Sequence, residues 1–398
     1  MKKSLLFIMS NLGCGGAEKA LISLLQTIDY SKYDVDLLLF TKKGLFLNKV
    51  PKEVNILDEP FGYKYYDMSI KKVIVELIKK GRIKDLLGRL SSIYIYKTEK
   101  DLSRCNQRAW KYISSMFGKL NKEYDVAIGY LEGHPIYYCI DNVKAKKKIG
   151  FVHNDYDKLG LNPIGDRYYF KYLDKIVTVS NECAEVLKYR FPEYKDRVEI
   201  MHNIISPKVI ENMSLENIDL EKENIILVTV GRLNKQKGYD LAIEACKLLI
   251  DNGYDLQWYV IGEGSERQEL ERLIKNYNLE EKFILLGLKD NPYPYIKQAD
   301  IYVQTSRFEG KSIAIDEAKI LHKPIVVTNF TTVKDQIENE INGLVTEMNS
   351  ESIYKGIVRL INNTNLRKKL VENLEKEFLG NDNEINKFYS LCNLKVGS

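Results

Sequence analysis

The chain has 398 residues, 44% hydrophobic and 29% charged, a balance that excludes a long disordered or fibrous protein and suits two large or three small folded domains. Sixty Lys and Arg against 55 Asp and Glu leave a net charge of +5, too small over this length to call for a nucleic-acid partner. No stretch approaches the roughly 18 to 20 apolar residues of a membrane span, so any membrane contact is expected to be peripheral.

In chain order, Lys2 and Lys3 precede an apolar run at 5–9 that imitates a signal peptide but is too short and passes into a glycine loop. It reads as a first strand, 4–9, followed by strands at 35–40, 126–130, 148–152 and 175–179. Between them Leu21, Leu24, Leu25 and Ile28 repeat at helical spacing, and 185–189 continues a helix after Ser180. The second half predicts strands at 225–230, 257–261, 283–286, 301–304 and 324–328, with helices at 238–251, 265–277 and 312–321. The polar stretch 206–224, which opens on Ser206-Pro207, reads as an irregular connection. Alternating strands and helices predict α/β layers on mainly parallel sheets. The expected domains are 1–205 and 206–375, with a helical tail at 376–398, interrupted near Gly380, that packs back on the first.

Charge is uneven along the chain. Residues 64–123 hold fifteen basic and six acidic side chains, together with Val73, Leu77, Ile83, Leu86, Leu87 and Leu90 at helical spacing and a tyrosine-rich patch. Solvated helix faces account for such a segment. The functional alternative is attraction to anionic lipid headgroups or to a phosphate-bearing acceptor. Cysteines 14, 105, 139, 183, 246 and 392 form no C-x-x-C pair and no zinc-ligand spacing, which fits reduced thiols in a cytoplasmic protein.

Three stretches could carry chemistry. Gly13-Cys14-Gly15-Gly16-Ala17-Glu18 follows the first strand and opens a helix, a place where backbone N–H groups suit an anion, although a tight strand-to-helix turn uses glycine as well. It lacks the third glycine of G-x-G-x-x-G and the Lys-Ser/Thr of a P-loop, which weakens nicotinamide and ATP readings. Gly231-Arg232 to Lys237-Gly238 repeats the placement in the second half and adds two cations suited to a diphosphate. Ser306-Arg307-Phe308-Glu309-Gly310-Lys311-Ser312 runs into a helix that carries Glu317, so two glutamates flank a helix start. A ligand over that start could rest anionic groups on N–H donors and hydroxyls on the carboxylates. Of four histidines, His153 stands at a strand's carboxyl end, where a structural role competes with a functional one. The histidine spacing gives no H-E-x-x-H or other metal site.

The ordered set Asn11-Leu12-Gly13 to Glu18, Phe151-Val152-His153-Asn154-Asp155, Gly231-Arg232, Lys237-Gly238, Ile261-Gly262-Glu263-Gly264, Asn291-Pro292-Tyr293-Pro294-Tyr295 and Ser306 to Glu309-Gly310 with Glu317-Ala318 resembles retaining glycosyltransferases of family 4, with the GT-B fold. The resemblance implies two doubly wound Rossmann-like domains facing a central cleft, the first for the acceptor and the second for a sugar nucleotide. It implies a hexosyltransferase that moves a sugar from a nucleotide-sugar, expected to be a UDP-sugar, to a glycan or lipid-linked acceptor in surface polysaccharide synthesis.

Under it, Arg232 and Lys237 would neutralise the donor diphosphate, Glu309 would contact the transferred sugar, Glu317 would take the ribose and His153 would bond the donor sugar. Gly15 and Gly16 would approach the phosphates, the backbone at Leu286 and Gly287 would meet the base, and Gly310, Lys311 and Ser312 would line the donor. The family often has an apolar residue and proline where Lys311-Ser312 stand, a departure that places a further cation and a hydroxyl where donor phosphate would lie. The resemblance implies no metal or other cofactor and a cytoplasmic protein, peripheral on the inner face of the plasma membrane. A non-catalytic sugar-nucleotide-binding or scaffold subunit and a GT-B-fold epimerase or phosphorylase are the alternatives.

Overall fold

The computed structural model describes residues 2–13, 15–205, 207–218, 220, 224–377, 381 and 384–393. The chain divides into two compact units, Met1–Gly13 with Ala17–Asn203 and Asn383–Ser398, and Cys14–Gly16 with Ile204–Asp382.

The first unit holds a seven-stranded parallel sheet. In chain order its strands are β1 (Lys3–Met9), β2 (Tyr33–Leu39), β3 (Asn55–Ile56), β4 (Glu123–Gly129), β5 (Lys144–Val152), β6 (Lys175–Thr178) and β7 (Val198–Ile200), in the spatial order β3-β2-β1-β4-β5-β6-β7. Leu5 to Met9 of β1 and Leu37 to Leu39 of β2 are apolar and buried on both faces, as a parallel sheet covered on both sides requires. The helix Glu384–Leu391 returns to this unit: Phe388 stacks on Phe7 at 5.8 Å and Tyr389 on Tyr33 at 5.3 Å. Gly380, where a break in the tail is expected, lies outside the described residues.

The second unit repeats the plan with six strands, β8 (Ile225–Val230), β9 (Leu256–Ile261), β10 (Phe283–Gly287), β11 (Ile301–Gln304), β12 (Ile325–Thr328) and β13 (Leu344–Thr346), ordered β10-β9-β8-β11-β12-β13. In both sheets the order runs outward from the first strand in one direction and then restarts on its other side. This is the doubly wound arrangement, whose ligands lie at the carboxyl ends of the strands where the order reverses. The reversal falls between β1 and β4 in one unit and between β8 and β11 in the other.

The stretch expected to be irregular, 206–224, contains a helix, Pro207–Met213. Pro207 suits a first helical position, its fixed φ and missing N–H costing nothing there, and Ile210 is buried. The strands β3, β7 and β13 were not expected either. Each has two or three residues and owes its form to pairing at a sheet edge, which no alternation of two residues can announce.

Candidate active site

In the second unit, the two loops that leave β8 and β11 meet at the reversal point and are tied together by hydrogen bonds of backbone and side chains. The Arg307 N–H donates to the Gln236 carbonyl at 2.7 Å, the Thr305 hydroxyl to the Lys237 carbonyl at 2.9 Å, and the Arg307 guanidinium to both oxygens of Asp240 at 2.9 and 2.6 Å. Gly238 makes this approach feasible. Its φ is +63°, and a Cβ there would stand 2.2 Å from the Thr305 carbonyl oxygen.

The tie carries Lys237 and Glu309, 72 residues apart in sequence, into an ion pair. Both side chains are largely buried, at 14% and 8% exposure. Glu309 Oε1 also accepts from the Ser306 hydroxyl at 2.7 Å and the Gln304 amide at 3.0 Å, while Oε2 accepts from the Gln236 amide at 3.3 Å. Gln304 is itself fixed by the Tyr302 hydroxyl, which donates to its Oε1 at 2.7 Å. The carboxylate is thus charge-compensated and oriented, with Oε1 saturated and Oε2 retaining acceptor capacity.

Past Glu309, Gly310 is buried and Lys311 Nζ lies 3.9 Å from Asp316. Ser312 precedes the helix Ile313–Ile320 without capping it. Its N–H donates to Gln336 Oε1 and its carbonyl accepts from Gln336 Nε2, both at 2.8 Å, yet its buried hydroxyl has no hydrogen-bond partner among the described residues. An orphan hydroxyl beside the N–H groups of a helix's first turn is a donor set matched to an anion. Glu317 lies within that helix, buried, and accepts from the Tyr293 hydroxyl at 3.1 Å.

Arg232 is exposed at the end of β8. Leu286 and Gly287 stand two strands away at the sheet edge, where Leu286 falls out of the register between β10 and β9. The Gly262 N–H donates to the Gly287 carbonyl at 2.9 Å, and a Cβ on Gly262 would lie 1.9 Å from the Gly231 carbonyl oxygen. The exits of β8, β9 and β10 therefore bring the backbone of Gly231, Gly262 and Gly287 close together.

The first sheet has different chemistry at the carboxyl ends of its strands. Gly15 and Gly16 stand where the helix Gly16–Thr27 starts after β1, and Asn11 Oδ1 accepts from the Gly13 N–H at 3.0 Å; Cys14 lies outside the described residues. His153 follows β5. Its backbone N–H donates to Glu132 Oε2 and the Asn154 amide to Glu132 Oε1, both at 2.9 Å, so Glu132 joins the exits of β4 and β5. The imidazole lies against Tyr130 and Phe151, at ring separations of 5.0 and 5.7 Å, and its Nε2 has no hydrogen-bond partner among the described residues. Burial pushes its pKa down to about 4, so it is neutral at physiological pH. Desolvation lowers the half-buried His134 to about 4 as well, with its Nε2 against the Asn106 carbonyl at 3.0 Å. His202 Nδ1 is engaged by the Val179 carbonyl at 3.0 Å.

Sequence reasoning missed Glu132, Gln236, Gln304 and Gln336 as members of these clusters. Glutamines in or after strands carry no pattern, and only the fold shows what they touch. The described residues contain no group of three or more His, Cys, Asp or Glu arranged to hold a metal ion.

Residues 213–377 match the family of glycosyl transferases group 1. Over 371 residues the chain is 28% identical to the N-acetylgalactosamine-N,N'-diacetylbacillosaminyl-diphospho-undecaprenol 4-alpha-N-acetylgalactosaminyltransferase of Campylobacter jejuni, covering 92% of each chain. Its fold matches TarM of S. aureus, solved with UDP and alpha-GlcNAc-glycerol, at a TM-score of 0.67 and 15% identity over 98% of this chain and 100% of that one. It also matches HepE of Anabaena in complex with UDP, at a TM-score of 0.65 and 15% identity over 98% of each chain. Architecture, family match and relatives agree on a glycosyltransferase of the GT-B fold.

Proposed function

We propose that this chain, a glycosyltransferase of the GT-B fold, transfers a sugar with retention of configuration from a UDP-sugar to a glycan or lipid-linked acceptor in surface polysaccharide synthesis. The observation that carries the reading is the buried Lys237–Glu309 pair at the reversal point of the second sheet, next to a helix start with an orphan Ser312 hydroxyl. UDP in the related structures and the diphospho-undecaprenol in the Campylobacter relative's name support donor and acceptor classes.

In this reading the donor diphosphate lies over the start of helix Ile313–Ile320. Lys237 and Arg232 supply the positive charge that the leaving group needs as the glycosidic bond loosens, so no metal ion is required. Lys311 and the Ser312 hydroxyl add a further cation and donor, Gly310 and Glu309 meet the sugar, and Glu317 takes the ribose hydroxyls. Leu286 and Gly287 offer backbone to the base.

Three donors already converge on Glu309 Oε1, which blunts it as a nucleophile and favours attack on the face that the diphosphate leaves. The bond from the anomeric carbon to the phosphate oxygen breaks, that from the same carbon to the acceptor oxygen forms, and the acceptor proton passes to the departing phosphate. The protein would work in the cytoplasm at the inner face of the plasma membrane. No helix among the described residues is long and apolar enough to cross a membrane.

The test is thermal-shift and hydrolysis screening against UDP-, GDP-, ADP- and TDP-sugars with chelator present. Selective stabilisation by a UDP-sugar with slow nucleotide release is expected, and Glu317→Ala should nearly abolish transfer in a folded protein. Stabilisation by no donor would contradict the reading and favour a scaffold subunit. A trapped covalent sugar–Glu309 adduct that turns over would overturn the same-face mechanism.

A further inference from the structure

Two helices of the first unit, Ile70–Lys79 and Ile83–Thr98, form a hairpin whose connection includes Gly81 at φ +66°. One side of the pair is packed: Val73 and Leu77 join the main core, and Ile95 packs with Cys105 and Ala109. The other side is also apolar. Ile83, Leu87, Leu90 and Tyr94 follow one another at i, i+4, i+7 and i+11, so they share one stripe along the helix, and each is between 43% and 68% exposed. Val75 and Ile78 on the first helix are 51% and 54% exposed. With Ile70 at 45%, seven large apolar side chains of one hairpin are exposed, a surface of the kind that marks an interaction site.

Charge decides the partner. Within 70–98 the acidic residues are Glu76 and Asp85, and both are spent internally, Glu76 on Lys80 at 3.3 Å and Asp85 on Arg82. Lys71, Lys72, Lys79, Lys84 and Lys97 are exposed and, among the described residues, have no acidic partner. On the first helix they alternate with Val75 and Ile78; on the second, Lys84 and Lys97 border the stripe. A second copy docked symmetrically would set these lysines against each other. A bilayer with anionic headgroups meets both demands at once, phosphates for the lysines and the acyl boundary for the stripe.

We propose that this hairpin is the membrane-docking surface of the protein, lying in the plane of an anionic bilayer with Ile83, Leu87, Leu90 and Tyr94 in the headgroup–acyl boundary and the five lysines on lipid phosphates. The inference rests on the proposed function only in that a lipid-linked acceptor would be met at such a surface; its geometry is independent of the active site.

The test uses the full chain and vesicles of phosphatidylcholine alone or mixed in equal parts with phosphatidylglycerol. Co-sedimentation is expected with the mixed vesicles only, weakening as salt is raised. Lys71→Glu, Lys79→Glu and Lys84→Glu should each lower binding about fivefold, and Leu87→Ser with Leu90→Ser about tenfold or more. Trp110 and Trp258 are fully buried, so a Leu90→Trp variant adds an indole that reports on this face alone. Its emission should shift to the blue on mixed vesicles and be quenched by brominated lipid.

Equal binding to neutral and anionic vesicles, full binding by the Leu87→Ser/Leu90→Ser variant, or an indole that anionic vesicles leave unchanged would overturn the proposal. So would a concentration-dependent dimer abolished by the same substitutions, which would give the face to a second copy. Donor hydrolysis without lipid separates the two readings. Lost vesicle binding with unchanged hydrolysis supports the docking surface, and anionic-selective binding by a protein inert towards every donor supports it while removing the enzymatic reading.

Discussion

At the reversal point of the second sheet a lysine, a glutamate, two glutamines and a serine lock into a buried charged network, whereas in the first sheet a neutral histidine lies against Tyr130 and Phe151. The two sheets share a strand order, so topology supplies the location and the loops supply the chemistry. The second unit holds fixed charge, which stabilises charge that develops in a reaction. The first holds an imidazole kept uncharged by burial, suited to donating or accepting a hydrogen bond without adding charge.

Breaking the charged network should have the largest effect. Lys237→Ala and Glu309→Ala are each expected to lower the rate of transfer by about a thousandfold or more. Each should also lower thermal stability, because one partner of a mostly buried pair is left alone. Lys237→Met combined with Glu309→Gln should regain much of that stability and none of the activity. A melting temperature as low as that of the worse single variant would show that the two residues do not act as a pair.

The neutral side of the comparison is read through pH. A histidine whose pKa is about 4 in the fold and about 6.5 in the unfolded chain stays unprotonated in the folded state while the unfolded state takes up a proton. Its contribution is therefore complete above pH 6.5 and is lost as pH falls towards 4, by up to roughly 3 kcal/mol. His134 behaves alike, and Asp166, raised to about 6 by burial, acts in the opposite direction, so the measured quantity is the difference between His153→Gln and the parent. That difference should move in the variant's favour between pH 6.5 and 4. A constant difference would mean that His153 is not held neutral.

A smaller effect sharpens the role of the helix start. Ser312→Ala removes a buried hydroxyl that has no partner among the described residues, so stability should change by less than about 0.5 kcal/mol. The KM for the donor should nonetheless rise about tenfold or more, the loss of roughly one hydrogen bond to a charged group. Unchanged KM would remove this hydroxyl from the site.

Much of this was legible in the sequence because long apolar runs such as 225–230 and 301–304 identify parallel strands without help from their neighbours. Strands as short as Val198–Ile200 exist only through pairing and leave no trace in composition. Lys237 and Glu309 could each be singled out at a strand's carboxyl end, but their union required β11 to lie beside β8, which is a property of strand order. Gln304 and Gln236 became meaningful only once Glu309 had a position. The basic segment was visible as charge, and the exposed stripe from Ile83 to Tyr94 emerged only when the packed face of its helix was known.

The most direct test of the central claim, that the charged network of the second unit holds a donor diphosphate, is calorimetric titration of UDP into the parent protein and into Lys237→Ala with chelator present. The account predicts single-site binding to the parent, weakened about tenfold or more in the variant. Equal affinity in both proteins, or binding that appears only when a divalent cation is restored, would contradict it.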